Sequence, residues 1–500
     1  MPRDITLHLA SASLVSLGAL GLAGLAAAAD VDEPRLAALQ QQLAQVQRQV
    51  NQVVEENRSL REAQQQLERQ LAQLSRAAAP VAGGEAGPAV AGASQQALPA
   101  AAPAAGSAAL PTPASPAYAA LGEGLRLWGY GEIYYTDPTH DARRVRADLA
   151  RAVFGIGYSF DNRTEFNSEY EVEHAVSSAS DAGEFEVEQF YVDRRVSDAL
   201  SVRAGLLLMP FGFLNEHHEP TRFYGVQRNF VETLVIPSTW REGGVALHGD
   251  TSGGLGWSVG LTTGFDLSKW DYAPPFPPYA SALELVNSHA APLPATHQEL
   301  QLANARDLSQ YLALSYYGVP GLLVGGAVSS GNAVKATIAG APGPGAQRVT
   351  LWEAHARWTP SKLDLAALYA RGTIGNTALA NAANPGSPNP IPSSFYGYFV
   401  QGAYELWEQG GYRAAPFVRF ERYNLGASYS GTSGPAVPTG LVPLSGSPGD
   451  LGYWPANDDR VWTAGANLYL GTHVVVKGDY QRFRLNSSFS RFDLGLGVSF

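Results

Sequence analysis

Glu216, His217, His218 and Glu219 are four consecutive residues of the types that bind metal ions. No second ligand pair follows at matching spacing, and adjacent histidines on an extended chain point to opposite sides, so the sequence gives no metal centre. The same four read better as bracing groups for hydrogen bonds and ion pairs. Acyl transfer would need a Ser and a His within hydrogen-bond reach, oriented by a third polar group. His174 and His473, read as strand residues, have no Ser at strand spacing. No catalytic residue and no cofactor is expected.

The chemistry that remains is electrostatic. In the segment 163–173 the residues Arg163, Glu165, Asn167, Glu169, Glu171 and Glu173 alternate with Thr164, Phe166, Ser168, Tyr170 and Val172, which puts a row of charge on one face of a strand. Glu186 and Glu188 extend that row on the next segment. Later segments carry mixed charge at the same period: Glu353, His355 and Arg357; Arg419 and Glu421; Lys477 and Asp479. Together with Arg151 these are the expected pore-lining residues, because charge is costly on a lipid-facing surface. A lumen of this kind would select solutes by ladders of charge.

The histidine pair itself lies in Leu206–Gly244, a long non-periodic run rich in Pro, Asn, Glu and Arg between two alternating segments. A loop of that length in a compact chain is usually functional. Here it is expected to fold back into the pore as a constriction carrying Asn215, Glu216, His217, Glu219, Arg222, Arg228 and Arg241. Trp240 is expected to pin its end to the wall.

The elements that position these groups are strands. From Leu125 to Phe500 sixteen alternating segments begin near residues 125, 146, 163, 185, 199, 242, 255, 308, 321, 347, 362, 395, 412, 459, 472 and 490. Connections alternate between long (210–241, 266–307, 331–347, 373–394, 424–458) and short (Asp161-Asn162, Ser197–Ala199, Thr251–Gly254, Pro320-Gly321, Gly471-Thr472). An even strand count with long loops on one side is the outer-membrane pattern. In the last segment Phe492, Leu494, Leu496, Val498 and Phe500 alternate with Asp493, Gly495, Gly497 and Ser499, one face for lipid and one for water. The fold class expected is therefore all-β, a 16-stranded antiparallel transmembrane β-barrel over residues 119–500, with a soluble sandwich as the alternative. Sixteen strands leave an aqueous channel, so the interior charges are expected to face water rather than pair and fill it.

Ahead of the barrel, residues 1–29 have the layout of a secretory signal, with Arg3, an apolar stretch and Ala26–Ala29. Residues 30–76 carry a seam at 36, 39, 43, 46, 50, 53, 57, 60, 64, 67, 71 and 74 that reads as a periplasmic α-helical coiled coil, with Asn57 and Gln64 at core positions. A single amphipathic helix is the alternative. Residues 77–118, nearly all Ala, Pro, Gly and Ser, read as a linker. The chain has no Cys and a formal charge of −11, which argues against a nucleic-acid partner.

The run MPFGFLNEHHEPTRFYGVQRNFVETLVIPSTWREGG, with NSEYEVEHA before it, VVVKGDYQRF after it and the terminal Phe, resembles the phosphate-selective porin O and P family of Gram-negative outer membranes. The likeness covers residues 125–500 and leaves out the coiled coil. It implies a homotrimeric sixteen-stranded porin with an inward third loop and an arginine ladder and lysine cluster for phosphate-like anions. The chain departs from that pattern with only four lysines, Lys269, Lys335, Lys362 and Lys477. Arg151, Arg222, Arg228, Arg241 and Arg419 are the residues from which a ladder would be built.

The expected function is a passive outer-membrane channel for small hydrophilic solutes or ions, with loop 210–241 as constriction. One alternative is a phosphate- or organic-anion-selective porin. Another, of a different class, is a structural tether from the outer membrane to peptidoglycan through residues 30–118. Expected partners are two further copies of the chain, outer-membrane lipid and lipopolysaccharide, the barrel-assembly machinery and, for the tether, peptidoglycan.

Overall fold

A computed structural model describes residues 119–120, 124–140, 142, 145–174, 184–270, 272, 293–338, 341–343, 345–387, 389–434, 458–484, 487 and 490–500. The chain divides into two units, Met1–Ala101 and Ala102–Phe500, and all described residues lie in the second. The signal, coiled coil and linker expected over 1–118 lie outside them.

Sixteen long strands follow one another in the described residues. They are β1 (Leu125–Pro138), β2 (Arg146–Ser159), β3 (Thr164–Glu173), β4 (Phe185–Ser197), β5 (Leu200–Leu208), β6 (Arg241–Asp250), β7 (Leu255–Thr262) and β8 (Ser309–Val319). There follow β9 (Leu322–Ala333), β10 (Gln347–Trp358), β11 (Leu363–Ile374), β12 (Pro392–Tyr404), β13 (Tyr412–Tyr429), β14 (Asp458–Leu470), β15 (Val474–Phe483) and β16 (Arg491–Ser499). Each pairs antiparallel with its sequence neighbours. The barrel closes where β1 meets β16, from Tyr130 opposite Ser499 to Pro138 opposite Arg491. Phe500 completes the seam, its N–H reaching the Gly129 carbonyl at 2.8 Å. Among the described residues each of the sixteen strands is paired on both sides, so the barrel wall satisfies its own backbone hydrogen bonds.

Period-two alternation decides which side chains enter. On β16 Phe492, Leu494, Leu496 and Val498 are 38–44% exposed on the outside, while Arg491 and Asp493 are buried inside. On β14 Trp462 is 53% exposed and its neighbours Val461 and Thr463 are fully buried. The expected strand starts lie within three residues of the observed ones. The exception in length is β13, which runs on through eighteen residues. His174 and His473 are not strand residues. His174 lies just past β3 with a positive φ of 52° and bonds Asp148 at 2.7 Å, and His473 sits in the turn before β15.

The largest apolar cluster lies inside the barrel rather than in its wall. Leu207, Met209, Phe211, Phe230, Val231, Val235, Ile236 and Trp240, mostly from the β5–β6 connection, pack against Leu368, Phe395, Phe399 and Phe483 of the wall. The connection is thus a folded element packed against the inner wall.

Candidate functional site: the inward loop and the wall around it

The β5–β6 connection, residues 209–240, is closed at its neck by one side chain. Asn215 Nδ2 donates to the carbonyls of Met209 (2.7 Å) and Trp240 (2.8 Å), and its Oδ1 accepts from the Trp240 N–H (2.6 Å). Trp240 is 1% exposed, stands between Phe211 and Phe265 at centroid distances of 4.8 and 5.2 Å, and donates its indole N–H to Glu242. It pins the loop end to the wall.

Within the loop, Glu232 is the organising carboxylate. One oxygen accepts from the Phe213 and Leu214 N–H groups at 2.6 and 2.9 Å, and the other from Asn229 at 2.6 Å. The approach is so close that a Cβ at Gly212 (φ +69°) would fall on that carboxylate. Burial pushes the Glu232 carboxyl above its usual range. Residues Val231–Val235 then form a short π-helical turn.

From there the loop reaches the opposite wall, where strand side chains satisfy its backbone. Val226 N–H donates to Asp479 (2.6 Å), Gly225 N–H to Asn467 (3.2 Å) and Phe230 N–H to Glu421 (2.6 Å). Arg419 gives one arm to the Tyr224 carbonyl (3.2 Å), and its Nε contacts Glu421 at 3.0 Å. Arg151 donates to Glu132 (2.6 Å) and to the His218 carbonyl (2.5 Å), and stands 4.0 Å from Glu171. Lys477 Nζ lies 3.5 Å from the Phe223 ring centroid. A buried backbone group without such a partner would cost about 1–3 kcal/mol. These side chains therefore hold the loop in place.

That placement corrects one expectation. Arg151, Glu169, Glu171, Arg419, Glu421, Lys477 and Asp479 do not face water; each is at most 5% exposed. The loop packs against the wall at their height. Nor do the five arginines form a free ladder. Arg241 pairs with Glu186 and with Glu299 (3.1 Å), Arg419 with Glu421, and Arg151 with Glu132. Arg228 donates to the hydroxyls of Ser238 (2.5 Å) and Thr239 (2.9 Å). Burial, and next the charge of Arg151, hold its guanidinium below the usual range.

Arg163, Glu165, Glu216, His217, Glu219 and Arg222 line a cavity of about 1210 Å³ at the short-turn end of the barrel, floored by the loop. Glu216 and His217 are exposed there, Glu219 is half-buried, and Arg222 is exposed 3.9 Å from Glu219. Glu165 pairs with Arg126 at 2.8 Å. Arg163 lies in the β2–β3 turn, not in the strand, with its N–H on Asp161. Glu173, half-buried, ends β3 at the long-loop side. Seven carboxylates and five guanidinium groups line the cavity.

His218 behaves unlike its neighbour His217. It is 3% exposed and turned into the wall, where burial, then Arg228 and Arg151, hold its imidazole down to about 3. Tyr130, Glu169 and Glu188 surround it. Tyr130 carried no sequence signal, since a tyrosine on an alternating strand looks like any other; only the closure of β1 beside the loop brings it here.

No protein-family model matches the chain. It is 40% identical over 141 residues to an uncharacterised protein of Aquifex aeolicus (strain VF5), a match over 28% of this chain and 32% of that one, so the chain spans about a third of that relative. Among solved structures, a complex of Salmonella typhi OmpF with daunomycin is 14% identical, with a TM-score of 0.48 over 76% of this chain and 98% of that one. The outer membrane channel DcaP of Acinetobacter baumannii is 12% identical, with a TM-score of 0.45 over 77% and 100%. An anion-selective porin from Comamonas acidovorans is 11% identical, with a TM-score of 0.43 over 75% and 99%.

Proposed function

We propose that the chain is an outer-membrane porin, a channel for passive diffusion of small hydrophilic solutes or ions whose constriction is the loop 210–241. The observation that carries this reading is a closed sixteen-stranded barrel whose inner wall is charged and whose long third loop on the open side is braced across the lumen. Outward leucines, valines and aromatics suit lipid, and closure without edges suits a membrane. Long and short connections on opposite ends support an orientation with the short turns in the periplasm.

The resemblance to the phosphate-selective porin O and P family remains part of this proposal at the level of architecture, including the trimer. Anion selectivity is the less supported alternative. The lumen arginines are each matched by a carboxylate or held by hydroxyls, and the cavity carries more carboxylates than guanidinium groups. A pore of this composition leans toward cations.

The test is the reversal potential of the purified protein in planar bilayers under a salt gradient, followed by titration with phosphate. Conductance with cation preference and no phosphate block is expected. Anion preference with block at low phosphate would replace the general porin by the anion-selective one. No conductance from correctly folded protein would end the channel reading.

A further inference from the structure

Glu169 on β3, Glu188 on β4 and His218 on the inward loop place one potential ligand atom each within 4.8 Å of one another, all three residues buried. The hydrogen bonds around them fix which atoms are acceptors. His218 Nδ1 lies 3.1 Å from the Asn215 carbonyl, which can only accept, so Nδ1 carries a proton and Nε2 is the ring atom left to face the carboxylates. Nε2 lies 3.5 Å from Glu188 Oε2.

Tyr130 does not supply enough. Its hydroxyl is 2.6 Å from His218 Nε2 and 3.2 Å from Glu188 Oε2, and it has a single proton for both. Glu188, 0% exposed, has a second oxygen, Oε1, with no hydrogen-bond partner. Glu169 receives an amide bond from Gln189 and otherwise shares the same Tyr130 hydroxyl. No Lys or Arg forms an ion pair with Glu169 or Glu188 among the described residues; the nearby Arg151 is committed to Glu132 and the loop. Arg228 also stands near Glu188 but bonds Ser238 and Thr239, and burying carboxylates without a directly paired cation is unfavourable.

We propose that Glu169, Glu188 and His218 Nε2 bind a divalent first-row metal ion such as Zn²⁺, which ties the inward loop to strands β3 and β4. Bonds of about 2.1 Å in a tetrahedral site put neighbouring ligand atoms roughly 3.4 Å apart. The observed 3.5 Å between His218 Nε2 and Glu188 Oε2 matches that edge. The bond from His218 Nδ1–H to a backbone carbonyl is the outer contact that commonly orients a metal-binding imidazole. Three protein ligands leave a fourth position, into which Tyr130 or a water fits. The companion cluster Glu171, Glu173 and Glu186 carries no such argument, because Arg241 and Arg151 already stand against it.

The experiment uses the full folded chain in detergent, stripped with EDTA, re-equilibrated with Zn²⁺ and freed of excess. Bound zinc is then counted by mass spectrometry. About one tightly held Zn²⁺ per chain is expected, with affinity falling about tenfold or more in His218→Ala and in Glu188→Gln. His473→Ala, in an exposed turn, should keep it. X-ray absorption of the loaded protein should report one imidazole nitrogen and oxygen ligands at about 2.0–2.1 Å. Glu188→Gln alters one atom and serves if His218→Ala fails to fold. Zinc retained equally in both variants, or no zinc held by the wild type, would overturn the site. The readout is independent of conduction, so its failure leaves the porin reading standing, and the reverse holds as well.

Discussion

Asn215 and Trp240 close the neck of the inward loop through a reciprocal pair of hydrogen bonds, side-chain amide to backbone carbonyl at 2.8 Å and backbone N–H to side-chain oxygen at 2.6 Å. A third bond from the same amide holds Met209. The two ends of a long loop are thus fixed by a residue inside it together with the Met209 N–H to Trp240 carbonyl bond at 2.8 Å, and the wall positions its middle. Asn215→Ala removes all three bonds; the Met209 and Trp240 carbonyls keep the Phe211 and Met209 N–H groups, while the Trp240 N–H loses its partner at a cost of about 1–3 kcal/mol. The expected outcome is a loop that loosens without loss of the barrel. Trypsin cleavage at Arg222 or Arg228 should accelerate, with larger and noisier single-channel conductance. Unchanged cleavage and conductance would show that the neck is held elsewhere.

The middle of the loop rests on glycines of β16. A Cβ added at Gly497 would stand 2.5 Å from Pro220, and one at Gly495 3.0 Å from Val226. Gly497→Val should therefore push the loop off the wall at a cost of about 1–3 kcal/mol, the usual range for overpacking. Its mark would be faster loop proteolysis with an unchanged melting transition of the strands.

Glu216 is exposed in the short-turn cavity and forms no ion pair among the described residues, so its charge acts through the field alone. Glu216→Lys should move the reversal potential toward anions, and Arg222→Glu toward cations. Both shifts should fade in 1 M salt, where screening acts within about 3 Å. Shifts that survive high salt would point to a structural change instead.

His297, in the β7–β8 connection, is held by burial down to about 4, with Glu299 opposing and Arg241 and Lys269 assisting. An unfolded histidine titrates near 6.5. Between these values the detached segment binds a proton that the docked one does not. Docking is thus at full strength above about pH 6.5 and weakens as pH falls toward about 4, by about 3 kcal/mol at most. Protease sensitivity of the 293–308 segment should rise over that window, and His297→Gln should flatten the rise.

How much of this was legible beforehand can be judged from particular residues. The alternation Phe492, Leu494, Leu496, Val498 against Asp493, Gly495, Gly497 gave both faces of β16 correctly. It could not show that the two glycines make room for Pro220 and Val226, since a small residue on a wet face and one under a packed loop look alike. Asn215 was legible as a loop residue, but its partners are 6 and 25 positions away. Glu169, Glu188 and His218 each stood out by charge or type, yet their convergence depends on a loop crossing from β5 to meet β3 and β4.

The strand count, the order of long and short connections and the two faces of strands such as β14 and β16 follow from the sequence itself, because a closed antiparallel barrel is built from local rules: period two, turns, and pairing with the next strand. What the charges do was decided only in three dimensions. Whether Arg151, Arg419 or Asp479 faces water or a backbone amide depends on where a long non-periodic loop comes to rest. That is set by contacts among residues far apart in the chain, as between Val226 and Asp479, 253 positions apart, and Thr221 and Ser499, 278 apart, which no local pattern encodes.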